Sequence, residues 1–164
     1  MLQYQGKEVD RAALEALPKP SKTWTFIKWL VPALVLAAFF WGYQKHAGEG
    51  LRQMLYAWII PNAVAAALFA AIAGARPLTV IVSLLGSPIT SLNPTIGVGM
   101  FAGLCEAWLR KPTVQDCEHI PEAMLTVKGM YKNRFTRVLL VAVAASLGSA
   151  LGAWIGGALI LSRL

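Results

Sequence analysis

A chain of 164 residues with 57% hydrophobic and 14% charged residues carries too few charges to clothe a soluble domain, which has about 25%. Its formal charge of +7 does not point to nucleic acid, because the basic residues flank apolar runs, where they set orientation in a membrane. The two cysteines, Cys105 and Cys117, form no CxxC pair and give no basis for a disulfide framework.

Residues 1–23 are polar and charged and read as a tether, with a short candidate helix over 9–17 ahead of Pro18-Lys19-Pro20. They show no signal-peptide pattern. A helical domain over 24–164 then contains four apolar runs, at 26–43, 54–75, 78–109 and 138–161. A bilayer core about 30 Å thick takes roughly 20 apolar helical residues to cross. The first, second and fourth runs each suit one crossing. Pro32 predicts a bend in the first. Pro61-Asn62 predicts a kink in the second, with the Asn62 amide offered to a neighbour.

The third run is too long for one ordinary crossing and too short for two. Its middle reads Ser87-Pro88-Ile89-Thr90-Ser91-Leu92-Asn93-Pro94-Thr95. Prolines remove backbone donors and disfavour helix at the preceding residue. The pattern predicts half-helices over 78–86 and 95–109, the second capped by Asn93 with Pro94 in its first position. Charge agrees. If this run enters and leaves on one side, twelve of the fifteen Lys and Arg residues lie on that side together with the N-terminus. A single crossing leaves no bias. The expected fold is therefore all-α and integral to the membrane. It has three full transmembrane helices plus a discontinuous re-entrant helical hairpin, multi-pass in the cell membrane with a cytoplasmic N-terminus.

Ser87, Thr90, Ser91, Asn93 and Thr95, with Asn62, are the candidate polar residues at membrane depth. Two readings stand. They satisfy the backbone freed at the break, or they form an ion or ligand site of the kind broken helices provide. Glu106 and Arg110 are four apart and predict a charged pair on one helix face. Asp116-Cys117-Glu118-His119 lacks metal-ligand spacing and reads as a solvated loop. His46 reads as interfacial. No cofactor is implied, and GxSxG, HExxH and phosphate-loop motifs are missing. Small residues recur every four positions at Gly99 and Gly103, at Gly148, Gly152 and Gly156, and at Ala63, Ala67 and Ala71. Such stripes let helices approach closely, within the chain or in a homodimer. The basic connection after Arg110 predicts a helix over 122–133, with Lys128, Lys132, Arg134 and Arg137 near anionic headgroups.

Several segments carry a family resemblance. They are Arg76-Pro77-Leu78-Thr79, Ser87 through Gly97, Glu106-Ala107-Trp108-Leu109-Arg110-Lys111-Pro112-Thr113-Val114, Tyr131-Lys132-Asn133-Arg134 and Gly148-Ser149-Ala150-Leu151-Gly152. Together with Trp29-Leu30-Val31-Pro32 they resemble the membrane region of the TraB/PrgY family, over about residues 20–160. That family includes the pheromone shutdown protein of conjugative plasmid systems and is related to the TIKI peptidases. The resemblance implies a membrane-anchoring and assembly module, with peptide as a conceivable partner. The family's proposed hydrolase motifs lie in a soluble domain ahead of the membrane region. No catalytic residue is thus expected in this chain. A small transporter or channel using the break at 87–95 is the alternative.

Overall fold

The computed structural model describes residues 22–93 and 96–162. The expected tether, apart from its last two residues, and the candidate helix over 9–17 lie outside them, as do Pro94 and Thr95. The described residues form helices and their connections, and no strand occurs among them. In chain order the helices are α1 (Lys22–Ile72), α2 (Pro77–Thr90), α3 (Val98–Arg110), three short helices α4 (Val114–Glu118), α5 (Ile120–Met124) and α6 (Val127–Lys132), and α7 (Arg134–Leu161).

The first two apolar runs join in the single element α1, with Pro32 and Pro61 inside it. α1 is not a straight rod. At 1.5 Å per residue a straight helix would separate Gly42 from Met54 by about 18 Å. A Cβ on Gly42 would instead lie 2.3 Å from Met54 Cε. Val35, Ala38 and Phe39 also pack on the cluster of Met54, Ala57, Trp58 and Ile160. α1 therefore doubles back between Gly42 and Met54, and its first part lies against its second.

This revises the expected three full crossings. Among the described residues, two helical stretches are long and apolar enough to cross a membrane, Gly48–Ile72 and Arg134–Leu161. The run over 26–43 is not among them. It contains Lys28 and Pro32, and it packs back on the second run although one helical element covers both.

α1 ends in a Schellman turn. Gly74 takes the left-handed conformation at φ 77°. Ala75 N–H donates to Ala70 O at 3.0 Å and Gly74 N–H to Ala71 O at 2.8 Å, which satisfies the terminal carbonyls. Pro77 then opens α2 in its first turn, where a missing N–H costs nothing. α2 and α3 form a helical hairpin whose bounds differ from the expected half-helices. α2 runs through Pro88 to Thr90 rather than stopping at 86, and α3 starts at Val98 with Gly97 as its cap residue. Asn93 therefore does not cap the second half-helix.

At 1.5 Å per residue, α2 and α3 are each about 20 Å long, short of a bilayer core. Lys111, at φ 48°, ends α3 ahead of Pro112. The helix expected over 122–133 is divided. Thr126 accepts from Gly129 N–H and so caps a new helix, α6, after α5 has ended at Met124. Asn133 Oδ1 accepts from Phe135 and Thr136 N–H and caps α7.

The second part of α1 runs antiparallel to α7, and glycines set their separation. A Cβ on Gly148 would lie 2.5 Å from Ala65 O, one on Gly152 2.6 Å from Pro61 O, and one on Gly156 3.0 Å from Ala57 O. Gly99 and Gly103 of α3 meet Ala142 of α7 in the same way. The glycine stripes thus join helices of one chain. In the alanine stripe, Ala63 and Ala67 are buried but Ala71 is exposed, and Ala66, Ala70 and Ala73 complete the interior.

The packing is inverted relative to a soluble bundle. Among the described residues, nine of the fifteen buried hydrophobic residues are alanine, and Asn62, Thr79, Ser83, Ser87, Glu106 and Ser149 are buried with them. Leu, Ile, Phe and Trp side chains point outward instead, among them Ile60, Leu68, Leu85, Leu104, Trp108, Leu147 and Trp154.

Candidate functional site: the hairpin break and the hairpin base

Pro88 cannot donate the helical bond to its preceding turn, yet α2 continues through it. Neighbouring side chains bond carbonyls of its last turn, where helical donors run out. Trp58 Nε1 of α1 donates to Pro88 O at 3.3 Å. Ser91 Oγ donates to the same carbonyl at 3.0 Å, and Thr90 Oγ1 donates to Gly86 O at 3.0 Å. Ser87 Oγ donates to Ser149 Oγ of α7 at 2.8 Å, with both residues buried. The hydroxyls of Ser87, Thr90 and Ser91 are therefore engaged in closing backbone carbonyls and joining helices. Asn93 is exposed, its N–H donating to Thr90 O at 2.9 Å.

Asn62 is fully buried. Its Nδ2 donates to Trp58 O at 2.9 Å, and its Oδ1 has no hydrogen-bond partner. Beside the tip an apolar groove of about 530 Å³ runs between Val35, Trp58, Ser91 and the end of α7 at Trp154 and Leu161.

The second cluster lies at the opposite end of the hairpin. Glu106 of α3 has no exposed surface. Its Oε2 accepts from Arg76 N–H at 3.0 Å and from Thr79 Oγ1 at 2.5 Å, and its Oε1 accepts from Arg110 Nε. Arg110 Nη2 reaches Gly74 O at 2.9 Å, and Arg76 Nη1 reaches Leu109 O at 2.5 Å. One carboxylate thus binds the start of α2 to the end of α3, so the chain enters and leaves the hairpin at the same end. Tyr131 from α6 donates its hydroxyl to Ile72 O at 2.9 Å. Arg137 of α7 stacks on the Tyr131 ring with its guanidinium 5.3 Å from the centroid and donates to Tyr131 O at 2.9 Å. Its guanidinium lies against Gly74, where an added Cβ would fall 2.0 Å from Nη2. Gly74 therefore satisfies two demands, a left-handed turn and close approach of an arginine.

Arg76, Thr79, Tyr131 and Arg137 join Glu106 and Arg110 here, and sequence reasoning had not grouped them. The one available signal was that most of them fall within the segments quoted for the family resemblance. Thr79 and Glu106 are 27 residues apart, and Tyr131 and Ile72 are 59 apart, beyond any periodicity.

In the connection between α3 and α7, Asp116 forms a capping box with Thr113. Its Oδ2 accepts from Thr113 N–H and Oγ1, both at 2.8 Å. The Thr113 backbone N–H, aided by its hydroxyl, holds the Asp116 carboxyl below the usual range. Asn133 Nδ2 donates to Asp116 O at 2.7 Å and ties this turn to α7. Among the described residues no group of three or more His, Cys, Asp or Glu side chains is placed to hold a metal ion.

The profile of the C-terminal domain of TraB family proteins matches residues 23–164. The chain is also 29% identical, over 152 residues, to an uncharacterized protein of Methanocaldococcus jannaschii. That alignment covers 90% of this chain and 38% of the relative, so the chain spans well under half of the relative's length. No solved structure matches. With all six residues of the hairpin base and all the packing glycines inside the matched region, this chain belongs to the TraB family, and residues 23–164 correspond to that family's C-terminal domain.

Proposed function

We propose that this chain is the membrane-embedded anchoring and assembly module of a TraB-family protein. The inverted packing carries the reading. Alanine, glycine, serine and one carboxylate are inside, while Leu, Ile, Phe and Trp cover the outside of helices about as long as a bilayer is thick. In water such a surface would far exceed the apolar patches of soluble monomers. In lipid it costs nothing, and small residues are what helix contacts there require.

In this reading α2 and α3 form a re-entrant hairpin. Two observations support it: each helix is about two-thirds of a bilayer core in length, and the carboxylate of Glu106 holds their outer ends together. Irregular backbone at membrane depth is tolerated when buried against protein, and Trp58 and Ser149 supply that burial. The end bearing Arg76, Arg110, Lys111, Lys128, Lys132, Arg134 and Arg137 faces the cytoplasm, as concentrated basic residues do. The module would hold the remainder of a TraB-family protein at the bilayer. Peptide-pheromone chemistry is assigned to no residue of this segment. Transport through the break is less well supported, because the hydroxyls of Ser87, Thr90 and Ser91 already have partners.

Alkaline carbonate extraction followed by vesicle flotation tests the embedding. The protein is expected to stay with the lipid, and its release into the aqueous phase would refute the reading. For the hairpin, single cysteines at Pro77 and Lys111, in a chain with both native cysteines changed to serine, should react with an impermeant thiol reagent from the same face. A cysteine at Ile96 should be protected. Reaction of Pro77→Cys and Lys111→Cys from opposite faces would exclude re-entry.

A further inference from the structure

Three guanidiniums converge on the turn between α1 and α2, and one carboxylate answers them. Arg110 Nη2 donates to Gly74 O, Arg137 lies against the Cα of the same glycine, and Arg76, two residues on, sends its guanidinium to Leu109 O beside Arg110. Glu106 is the acid among them, and both its oxygens are already engaged. Tyr131 faces Arg137 with a neutral ring and a backbone carbonyl. Asp116, in the following connection, is held by Thr113 and lies beside Arg134 instead. The turn therefore carries an excess of two positive charges, and Arg137 Nε is buried with no hydrogen-bond partner. Buried donors without partners are rare in folded proteins, and a bound water or anion is one way such a donor is satisfied. Arg76 is exposed and Arg110 and Arg137 are half-buried, so the cluster is open to the outside.

We propose that Arg76, Arg110 and Arg137 form a binding site for a phosphate group, supplied by the headgroup of an anionic phospholipid. This rests on the membrane reading above. Guanidinium forks match phosphate oxygens and form strong charge-assisted bonds with them. The source follows from position. The ends of Gly48–Ile72, of α2 and α3, and the first turn of α7 all meet at this turn, which sets it at headgroup depth. Basic pockets between membrane helices are where anionic headgroups are held. A bound phosphate would neutralise the excess charge and offer an acceptor to Arg137 Nε.

The test uses the detergent-purified full chain, titrated with phosphatidylglycerol, phosphatidylcholine or inorganic phosphate. Thermal unfolding and lipid retention in native mass spectrometry are the readouts. Phosphatidylglycerol should raise the unfolding temperature and remain bound, and phosphatidylcholine should do neither. Arg137→Gln and Arg76→Gln should each need about tenfold more phosphatidylglycerol for the same shift, as the loss of one charge-assisted bond predicts. Arg76→Gln keeps the backbone bond to Glu106, and so guards against simple unfolding of the Arg137 variant. Lys128→Gln and Lys132→Gln, on the exposed connection, should respond like the wild type. The proposal is overturned if the arginine variants bind as tightly as wild type, if the lysine variants lose as much, or if inorganic phosphate produces the same shift. Such a failure in a chain that still floats with vesicles would remove the lipid site and leave the membrane reading intact. A chain that does not float would remove both.

Discussion

Replacing Gly152 with alanine adds one carbon where α1 and α7 touch backbone to backbone. The new Cβ would lie 2.6 Å from Asn62 Cα, 2.6 Å from Pro61 O and 2.9 Å from Asn62 N. None of these atoms can rotate away, so the helices must separate by several tenths of an ångström or more. Overpacking of this kind costs about 1–3 kcal/mol. Separation also weakens the contacts at Gly148 and Gly156 on the same stripe, which pushes the cost towards the upper value. Alanine returns up to about 1 kcal/mol through better helix propensity.

The net expectation for Gly152→Ala is a loss of about 1–2 kcal/mol, or a fall of roughly 2–8 °C in unfolding temperature for a chain of this size. Gly157 supplies the control. It lies in the same helix, and a Cβ there meets nothing within 4 Å. Gly157→Ala should hold or raise the unfolding temperature by about 2–4 °C. Both are read by differential scanning fluorimetry in one detergent. If Gly152→Ala were as stable as Gly157→Ala, close packing of α1 on α7 through this stripe would be refuted.

Glu106→Ala removes the acceptor for Arg76 N–H, Thr79 and Arg110 together and leaves buried donors behind, so it should cost about 3–5 kcal/mol and expose Lys111 to proteolysis. Thr79→Val removes one of those bonds and should cost about 1–2 kcal/mol in the same unfolding assay. Ser87→Ala and Ser149→Ala should show a coupling of about 0.6 kcal/mol in a double-mutant cycle, typical of one hydrogen bond between membrane helices. A coupling of zero would mean the two hydroxyls do not meet. Asp116 titrates below the ordinary carboxylate value because Thr113 bonds its charged form. Its contribution is therefore complete above about pH 4, the unfolded value, and declines as pH falls through the lower folded value. Amide exchange at Thr113 should quicken only in that acidic window, and Asp116→Asn should weaken the dependence.

Much of this architecture could be read from short spacings. Apolar runs of sufficient length mark Gly48–Ile72 and Arg134–Leu161 as candidate spans. The prolines at 88 and 94 mark a hairpin. The four-residue spacing of Glu106 and Arg110 marks a pair on one face. Each of these depends on residues within a turn or two of one another, where helical geometry alone decides what can touch. The tertiary structure decided the rest, because the deciding partners are remote in sequence. Trp58 and Ser91 bond the Pro88 carbonyl in the last turn of α2, and α3 begins at Val98 rather than after Asn93. The first apolar run folds back onto Met54 and Trp58, which no hydropathy profile encodes. Glu106 is paired locally with Arg110, but its bonds to Arg76 and Thr79 exist only because the hairpin closes. Spacing along a helix assigns faces, and only the packing of one face on another assigns their partners.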